Sequence, residues 1–512
     1  MGLGCTLGGG LRGVEGFVVG VEADVASGLP AFSVVGLADS ACGQAPDRVR
    51  AAAANSGQPI PMRRITVNLS PASERKVGSG LDLGIAVAVL AAAGAVPGDV
   101  VRDVLHVGEL GLDGAVRAVP GVLPIVLAAV RAGARHVVVP VANAREARLV
   151  GGARVHPVAD LAELVARYRA LARGQRPAPV PEPAQPLAEQ APPLDLADVL
   201  GQHEARLALE VAAAGGHHLY LVGPPGAGKS MLAERLPGLL PDLDDPTALE
   251  VSAIQSVIGA RGGFDRLCRR PPFVAPHHGA SMPAIIGGGS GWVSPGAVTA
   301  AHGGVLFLDE APEFKPNVMQ ALRQPMESGT VVVARAAGRF RFPCRFQLVL
   351  AANPCPCGQA HGKAAACSCT PLQRRSYAAR LAGPILDRVD IQVQVPAPSR
   401  AMLALGPSES TAAVAARVAG ARDAQAHRWG GQDLPVNARI RGSVLRALPF
   451  RLPRERTVEL ERAVDRGLLS LRGYDRCLRL AWSVADLAGR TCPAREDVGV
   501  ALALRHRQAV AA

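Results

Sequence analysis

Runs of apolar residues divide the front of the chain into strands and helices. Residues 18–25 and 64–70 alternate in polarity or are rich in β-branched side chains, and 136–141 (HVVVPV) is almost continuously apolar, so all three are predicted strands. Residues 82–94 and 121–134 are apolar along most of their length and end near glycine, as helices do. The pattern therefore predicts an α/β domain.

A proline-rich segment follows this domain. Residues 173–193 contain the run RPAPVPEPAQPLAEQAPP, which has no apolar periodicity and is typical of an extended linker. We therefore place the first domain at residues 1–172.

Three short apolar strands follow the linker, and helical stretches separate them. They lie in HHLYLVGPPGAGKS (217–230), GGVLFLDE (303–310) and RFQLVLAANP (345–354). This arrangement predicts a parallel α/β core over residues 194–397. Over residues 398–512 charged and apolar positions recur three and four apart, which predicts an all-α domain resembling a lid.

Composition narrows the class of protein. The chain has 512 residues, of which 49% are hydrophobic and only 3% aromatic, so several cores built from small aliphatic side chains are expected. The longest apolar stretch, residues 84–96, is too short to span a bilayer. The first residues lack the pattern of a signal peptide, and ten cysteines form no dense disulfide framework. We expect a cytoplasmic protein with no membrane partner and with reduced thiols.

The net charge of +12 is unevenly distributed. Between Ser328 and Leu386 there are eight lysines or arginines and no aspartate or glutamate. One-signed charge of this kind suggests a polyanionic partner, with nucleic acid the first candidate. The alternative is a general arginine bias, because the chain has 51 arginines and four lysines.

The segment GPPGAGKS fits the phosphate-binding pattern G-x-x-x-x-G-K-[ST] and follows the apolar stretch LYLV. Glycine N–H groups can surround phosphate oxygens, and the following helix adds its N-terminal dipole. Lys229 would contact the β- and γ-phosphates, and Ser230 would offer its hydroxyl to Mg²⁺. The predicted nucleotide contacts are Gly223, Pro224, Pro225, Gly226, Ala227, Gly228, Lys229 and Ser230.

Two later strands end on polar residues that suit ATP hydrolysis. VLFLDE would deliver Asp309 to the Mg²⁺ shell and Glu310 to the attacking water. LVLAAN ends on Asn353, whose amide could hold that water or sense the γ-phosphate. Taken alone, each could instead be turn chemistry at a strand end.

The order strand–Lys, strand–Asp-Glu, strand–Asn resembles that of AAA+ ATPases, and longer motifs narrow the resemblance. Residues 275–289 (APHHGASMPAIIGGG), 295–314 (PGAVTAAHGGVLFLDEAPEF) and 342–358 (FPCRFQLVLAANPCPCG) resemble the magnesium-chelatase-like branch of AAA+. With the first domain included, the chain is similar to the YifB/ComM family over nearly its whole length outside the linker. The resemblance implies an ATPase that uses ATP and Mg²⁺.

The same resemblance implies roles for arginines. In PILDRVDI, Arg388 matches the arginine finger that reaches into the neighbouring subunit's site. In LSLRGYDRCLRLA, Arg472 matches the sensor arginine, with Arg476 as the alternative; an arginine on a solvated helix face would explain either residue equally simply. A finger that acts in trans implies a ring, and the family suggests a homo-hexamer.

A predicted β-hairpin spans VVVARAAGRFRF, residues 331–342. Arg335 lies near its tip, and Arg339 and Arg341 lie on the return strand. Related replicative helicases carry a basic residue at such a tip inside the ring's pore, so the resemblance implies sequence-independent contacts to DNA phosphates. The alternative is a solvent-exposed, arginine-rich hairpin.

Two groups of residues suit metal ions to different degrees. Cys355, Cys357, Cys367 and Cys369 could hold a structural zinc, although C-x-C is tighter than the usual spacing and reduced thiols are the alternative. The adjacent histidines in APHHG have no further ligand at suitable spacing, so a metal site is not expected there.

The first domain resembles the peptidase domain of Lon, a Ser–Lys protease with a ribosomal S5 domain 2-like fold. The resemblance lies in GSGLDLGIAVAVLAAAGAV and in HVGELGLDGAVRAVPGVLPIVLAAVRAGARHVVVP. Asp82 replaces the nucleophilic serine and Ile125 the catalytic lysine, which excludes proteolysis through that dyad. We expect Asp82 to cap its helix, with Lys76 as a candidate partner, in a scaffold or partner-binding domain.

Together these features predict an ATP-driven ring motor that acts on single-stranded or branched DNA. The resemblance implies helicase or branch-migration work on recombination intermediates, as in uptake of foreign DNA. A magnesium chelatase subunit is one alternative, which the Lon-like domain argues against. A protein-remodelling chaperone is another, and the arginine-rich hairpin argues against it because protein translocases use an aromatic pore loop.

Overall fold

The computed structural model describes residues 2–175, 194–259, 264–289, 293–335, 338–360, 367–381, 383, 385–403, 406, 408–430 and 436–506. Residues 176–193, which form most of the predicted linker, lie outside the described residues. So do Ala336 and Ala337, which belong to the predicted turn of the hairpin at Ala336–Gly338.

A seven-stranded mixed sheet forms the centre of the first domain, in the order β3-β4-β2-β1-β5-β8-β9. The strands of this domain are β1 (Gly2–Arg12), β2 (Glu15–Ala26), β3 (Ala31–Val35), β4 (Arg64–Ser70), β5 (Val104–His106), β6 (Glu109–Leu110), β7 (Val116–Arg117), β8 (His136–Pro140) and β9 (Arg154–Val158). Its helices are α1 (Ser40–Gly43), α2 (Ala45–Asn55), α3 (Asp82–Ala92), α4 (Gly98–Val101), α5 (Val122–Arg131), α6 (Ala144–Ala147) and α7 (Leu161–Ala172). The predicted strands and helices of this region are thus present.

The long strand β1 was not predicted, because its sequence GLGCTLGGGLR lacks the apolar alternation of a strand. Its glycines allow helices to approach the sheet closely. A Cβ atom at Gly4 would lie 2.1 Å from the carbonyl oxygen of Ala88 in α3, and one at Gly9 would lie 2.1 Å from Cγ2 of Ile125 in α5. Glycine is therefore required here by packing between layers, a cause that a linear pattern does not reveal.

Asp82 is the first residue of α3, but its carboxylate does not cap that helix. Leu81 occupies the N-cap position, with no side-chain hydrogen bond to the helix. The buried carboxylate of Asp82 instead accepts two hydrogen bonds from Arg48 in α2, at 2.6 and 2.8 Å, and a third from the Leu110 N–H. The ammonium of Lys76 donates to the carbonyl of Pro71. The capping prediction is therefore wrong, and the partner of Asp82 is Arg48 and not Lys76.

Replacing Arg48 by alanine should destabilise the protein by about 3–5 kcal/mol, because a buried carboxylate would lose its cation. Burial raises the pKa of Asp82, and Arg48 acts against that rise. A carboxyl group with a raised pKa in the fold contributes stability below its unfolded pKa and loses it as the pH rises through the folded pKa. The loss in Arg48→Ala should therefore be larger at pH 8 than at pH 5, measured by urea denaturation.

The double variant Arg48→Ala/Asp82→Asn provides the control for this prediction. Asparagine removes the buried charge, so the double variant should recover part of the stability and lose the pH dependence. An equal loss at both pH values in the single variant would argue that the packing of Arg48 matters and its charge does not.

A five-stranded parallel sheet forms the second domain, in the order β11-β14-β17-β10-β18, and this confirms the predicted parallel core. Its strands and those of two hairpins are β10 (Leu219–Val222), β11 (Phe273–Val274), β12 (Gly287–Gly288), β13 (Ser294–Pro295), β14 (Val305–Leu308), β15 (Thr330–Arg335), β16 (Gly338–Pro343), β17 (Gln347–Ala352) and β18 (Ile391–Gln394). Its helices are α8 (His203–Gly215), α9 (Lys229–Arg235), α10 (Asp245–Ile258), α11 (Met282–Ile286), α12 (Ala297–Ala300), α13 (Pro316–Ala321), α14 (Arg323–Ser328) and α15 (Pro371–Leu381).

The C-terminal region consists of helices in its described part, as predicted. They are α16 (Arg400–Leu403), α17 (Thr411–Arg428), α18 (Gly442–Leu445), α19 (Arg454–Asp465), α20 (Leu471–Leu487) and α21 (Arg495–His506). Trp429, Phe450 and Trp482 contact one another at its centre. The same apolar cluster continues into α8 and β10, so these helices pack directly on the second domain.

The first domain contacts the second domain at helix α10 and at the β15–β16 hairpin. The N–H of Gly121 donates to the carbonyl of Ser256 in α10 at 2.8 Å. The ring of Phe342, which is fully buried at the base of the β15–β16 hairpin, lies against Gly13 in the turn between β1 and β2. Val14 from the same turn is buried with it. The first domain therefore supports the hairpin directly.

Across the described parts of the chain, every helix is too short or too polar to cross a bilayer.

Candidate nucleotide site and basic hairpin

The loop between β10 and α9 has the geometry of a phosphate-binding loop. Gly226 and Gly228 have positive φ angles of 74° and 89°, which glycine adopts without strain. Gly223 is required for a different reason, since a Cβ atom there would lie 2.2 Å from the carbonyl oxygen of Val395. Helix α9 begins at Lys229, so its free N–H groups open into the loop.

The side chain of Lys229 is held at the centre of this site. Its ammonium donates to the carbonyls of Gly223 and Pro224, at 2.7 and 2.9 Å, and to Oδ1 of Asn353 at 3.1 Å. Burial lowers the pKa of Lys229, whereas the charges of Asp309 and Glu310 act against that shift. The structure therefore brings together residues from three parallel strands, because the carboxyl ends of such strands share one edge.

Ser230 and Asp309 lie together beside this loop. The Ser230 hydroxyl donates to Oδ2 of Asp309 at 2.8 Å. A hydroxyl and a carboxylate next to phosphate-binding N–H groups suit Mg²⁺, which proteins bind through one or two carboxylates together with substrate phosphates. The two residues therefore fit the predicted metal role.

Glu310 has an unusual backbone conformation and an unexpected neighbour. Its φ of 49° is left-handed, and its N–H donates to Oδ1 of Asp309 at 2.9 Å. Its carboxylate lies 3.2 Å from Nδ1 of His278. The ring of His278 in turn packs against that of His277, with ring centroids 4.1 Å apart and an angle of 33° between the ring planes. These histidines could not be connected with Glu310 from the sequence, because the connection depends on the position of strand β11 next to β14.

Arg388, the predicted finger, lies in the short turn that precedes the edge strand β18. Its guanidinium forms an ion pair with Glu327 of α14 in the same chain, with Nε 2.8 Å from the carboxylate. Arg472 is exposed in the first turn of α20. Arg476 has a different environment, since it pairs with the carboxylate of Asp390 and donates to the carbonyl of Arg388 at 3.0 Å. Arg476 thus holds the segment that contains Arg388. These contacts do not favour Arg476 as the sensor arginine.

Asp390 is a further functional candidate, one that the sequence patterns did not predict. It is almost fully buried, its carboxylate lies 3.4 Å from Nδ1 of His217, and it accepts a hydrogen bond from the N–H of His218. Burial acts to raise its pKa, but Arg476 and the two histidines hold the pKa well below its usual range. Asp390 therefore connects the segment that contains Arg388 with helix α20 of the lid, through Arg476, and with the two histidines that precede strand β10. In the sequence, Asp390 is marked by being a charged residue directly before the strand β18.

The predicted basic hairpin is present as strands β15 and β16, with Arg335 paired to Gly338 next to its tip. Arg339 and Arg341 are exposed on the return strand and share one face. Arg335 lies on the other face, where its Nη2 would be 3.0 Å from a Cβ atom at Gly288. The arginine hairpin therefore touches the smaller hairpin formed by β12 and β13.

The four cysteines predicted as zinc ligands lie together. The sulfurs of Cys355, Cys357, Cys367 and Cys369 are all within 4.8 Å of one another, and this is the one cluster of possible metal ligands within the described ranges. Residues 361–366 between the two C-x-C pairs lie outside those ranges. His277 and His278 belong to no such cluster there.

Comparison with known protein families covers most of the chain. Residues 195–403 match the family described as magnesium chelatase, subunit ChlI. Residues 21–143 match subunit ChlI of Mg-chelatase, and residues 408–505 match the C-terminal region of the same subunit.

Curated relatives cover nearly the full length. An uncharacterized protein of Mycobacterium tuberculosis is 49% identical over 97% of both chains. The uncharacterized protein YifB of Escherichia coli is 39% identical over 96% of this chain and 95% of its own. The competence protein ComM of Haemophilus influenzae is 39% identical over 93% of this chain and 92% of its own.

Proposed function

The chain belongs to the YifB/ComM family of magnesium-chelatase-like AAA+ proteins, and on this basis we propose that it is an ATP-driven ring motor acting on DNA. ATP hydrolysis would use Lys229, Ser230, Asp309 and Glu310, with Asn353 beside them. Zinc at the four clustered cysteines is proposed as a structural cofactor besides ATP and Mg²⁺. The substrate would be single-stranded or branched DNA held without sequence preference.

Two contacts made by one segment of the second domain carry this proposal. The segment between β11 and β12 reaches both functional regions, because His278 lies 3.2 Å from Glu310 and Gly288 lies against the guanidinium of Arg335. A phosphate bound at the hairpin would therefore act on a segment that touches the residue assigned to the attacking water. This connection supports hydrolysis that responds to DNA.

The ring and its site of action rest on further arguments. Arg388 precedes the edge strand β18, and a position at the edge of the sheet suits a finger that serves a neighbouring subunit. In a closed ring of identical subunits every finger has a neighbouring site. Six subunits is the number proposed. All ten cysteines are free, as expected of a protein in the reducing cytoplasm. The competence protein among the relatives supports branch migration during uptake of foreign DNA as the biological setting.

ATP hydrolysis measured with and without branched DNA tests the function. We expect DNA to stimulate hydrolysis and Arg335→Ala to lose most of that stimulation while keeping basal turnover. Each phosphate contact removed should weaken binding and lower the salt dependence of binding by about one counterion. Arg454→Ala, which changes an exposed arginine of the lid paired with Glu461, is the matched control.

The outcomes separate the alternatives. Hydrolysis that no nucleic acid stimulates, but that an unfolded protein does, would favour a protein remodeller. If Arg335→Ala responded to DNA as the unmodified protein does, the hairpin would not be the DNA contact.

A further inference from the structure

The sulfur atoms of the cysteine cluster have the spacing of a metal–thiolate site. Sγ of Cys355 lies 3.4 Å from Sγ of Cys357 and 3.7 Å from Sγ of Cys367, and the last two are 3.7 Å apart. A tetrahedral Zn²⁺ about 2.3 Å from each sulfur gives sulfur–sulfur distances of about 3.8 Å. A disulfide would need about 2.05 Å. The distances among these three sulfurs therefore fit thiolates arranged around one ion, and the sulfur of Cys369 lies within 4.8 Å of each of them.

The backbone supports the same interpretation. The N–H of Ala360 donates to Sγ of Cys355 at 3.3 Å, and the N–H of Gly358 closes a turn onto the carbonyl of Cys355 at 2.9 Å. Amide donors to sulfur stabilise the thiolate form that zinc requires. With a φ of 75°, Gly358 adopts the left-handed conformation that favours glycine at this turn.

The cluster is connected to the nucleotide site on two sides. Cys355 follows Asn353 by two residues, and Asn353 accepts the hydrogen bond from Lys229. On the other side, a Cβ atom at Gly358 would lie 2.6 Å from Cδ of Pro225, so the cysteine turn packs on the phosphate-binding loop.

The far end of the cluster leads into helix α15. Cys369 lies two residues before Pro371, the first residue of this helix. An ion bound by all four sulfurs would therefore tie the segment that follows Asn353 to the start of α15, and it would close a loop between Cys355 and Cys369. Closing such a loop reduces the conformational freedom of the segment it contains.

We propose that the four thiolates bind one Zn²⁺ and that this ion holds Asn353 and Pro225 in position around the triphosphate. Metal occupancy then sets the affinity for nucleotide as well as local stability. The proposal rests on the proposed ATP site and on zinc as the structural cofactor. It adds that nucleotide binding at the ATP site depends on the bound zinc. Binding would release the thiol protons to solvent and requires no oxidant.

Metal content and nucleotide affinity of the full-length protein test the two parts separately. Mass spectrometry of the purified chain should find about one zinc per subunit, and Cys367→Ser/Cys369→Ser should lose it. The same variant should bind a fluorescent ATP analogue about tenfold more weakly, a typical result of loosening a site's support. Cys492→Ser, which changes a cysteine outside the cluster, should change neither quantity.

The results that would overturn the proposal are distinct. An unmodified protein without zinc would remove the metal site. Loss of zinc with unchanged nucleotide affinity would leave a metal site and remove its link to ATP. If the serine variant does not fold, removing zinc from the unmodified protein with a chelator and then adding zinc back should lower and restore the affinity. Binding is measured without hydrolysis, so a failure of the proposed motor activity would not be mistaken for a failure here.

Discussion

Glu310→Gln should slow ATP hydrolysis by about 10²–10⁴-fold, the usual contribution of a general base. Glutamine keeps the size and polarity of the side chain but cannot accept a proton from the attacking water. Lys229, Ser230 and Asp309 remain in place, so the variant should still bind ATP with nearly unchanged affinity. Single-turnover hydrolysis and nucleotide binding measured on one preparation would separate the two effects.

His278→Ala provides the matched comparison for Glu310. The imidazole lies 3.2 Å from the Glu310 carboxylate, so its removal changes the surroundings of the carboxylate but not its chemistry. Basal hydrolysis should therefore persist in His278→Ala and be lost in Glu310→Gln. Turnover by Glu310→Gln at the unmodified rate would show that another group activates the water.

Arg388→Ala should reduce hydrolysis by about 10³–10⁵-fold, the range associated with arginine fingers. The expected cause is loss of the charge that stabilises the transferring phosphoryl group in the neighbouring subunit. Action in trans has a specific consequence. Mixing Arg388→Ala with Lys229→Ala subunits should restore part of the activity, because some junctions then combine an intact Lys229 with an intact Arg388. Turnover of the two variants alone and mixed would be measured at equal total protein.

Arg380→Ala is the control for the finger, because Arg380 is also ion-paired to a glutamate of its own chain, Glu313. It should leave hydrolysis nearly unchanged. Arg388→Ala also breaks the ion pair with Glu327, so subunit assembly should be compared by light scattering. Full activity of a monomer, or no recovery on mixing, would contradict a site shared between subunits.

Local sequence was sufficient to predict the positions of residues whose geometry depends on their neighbours in the chain. The loop around Lys229 follows an apolar strand and begins a helix, and both features are readable in sequence. Asp309 and Asn353 each follow a buried strand, and parallel strands bring such ends to one edge. The positions of Arg335 and Gly338 follow from alternation around a short turn. For these residues, spacing along the chain determines the geometry.

Contacts between residues that are far apart in the sequence were not predictable in the same way. Arg48 is separated from Asp82 by a loop, a strand and a turn, and nothing near Asp82 in sequence marks Arg48 as its partner. Asp390 has a strand on one side and a lid helix on the other, which meet only after the domains pack. The contact of His278 with Glu310 likewise depends on the order of strands in the sheet.

The sequence by itself determined the parallel core, the phosphate-binding loop, the polar residues at the strand ends and the family of this protein. Those features rest on periodicity and on motifs of a few residues, where backbone geometry is local. Only the tertiary structure decided the place of β1, the pairing of Asp82 with Arg48, the ion pair of Asp390 with Arg476 and the packing of the cysteine turn on Pro225. Each of these depends on burial and close approach between distant segments, and the free energy of such contacts is set by packing in three dimensions.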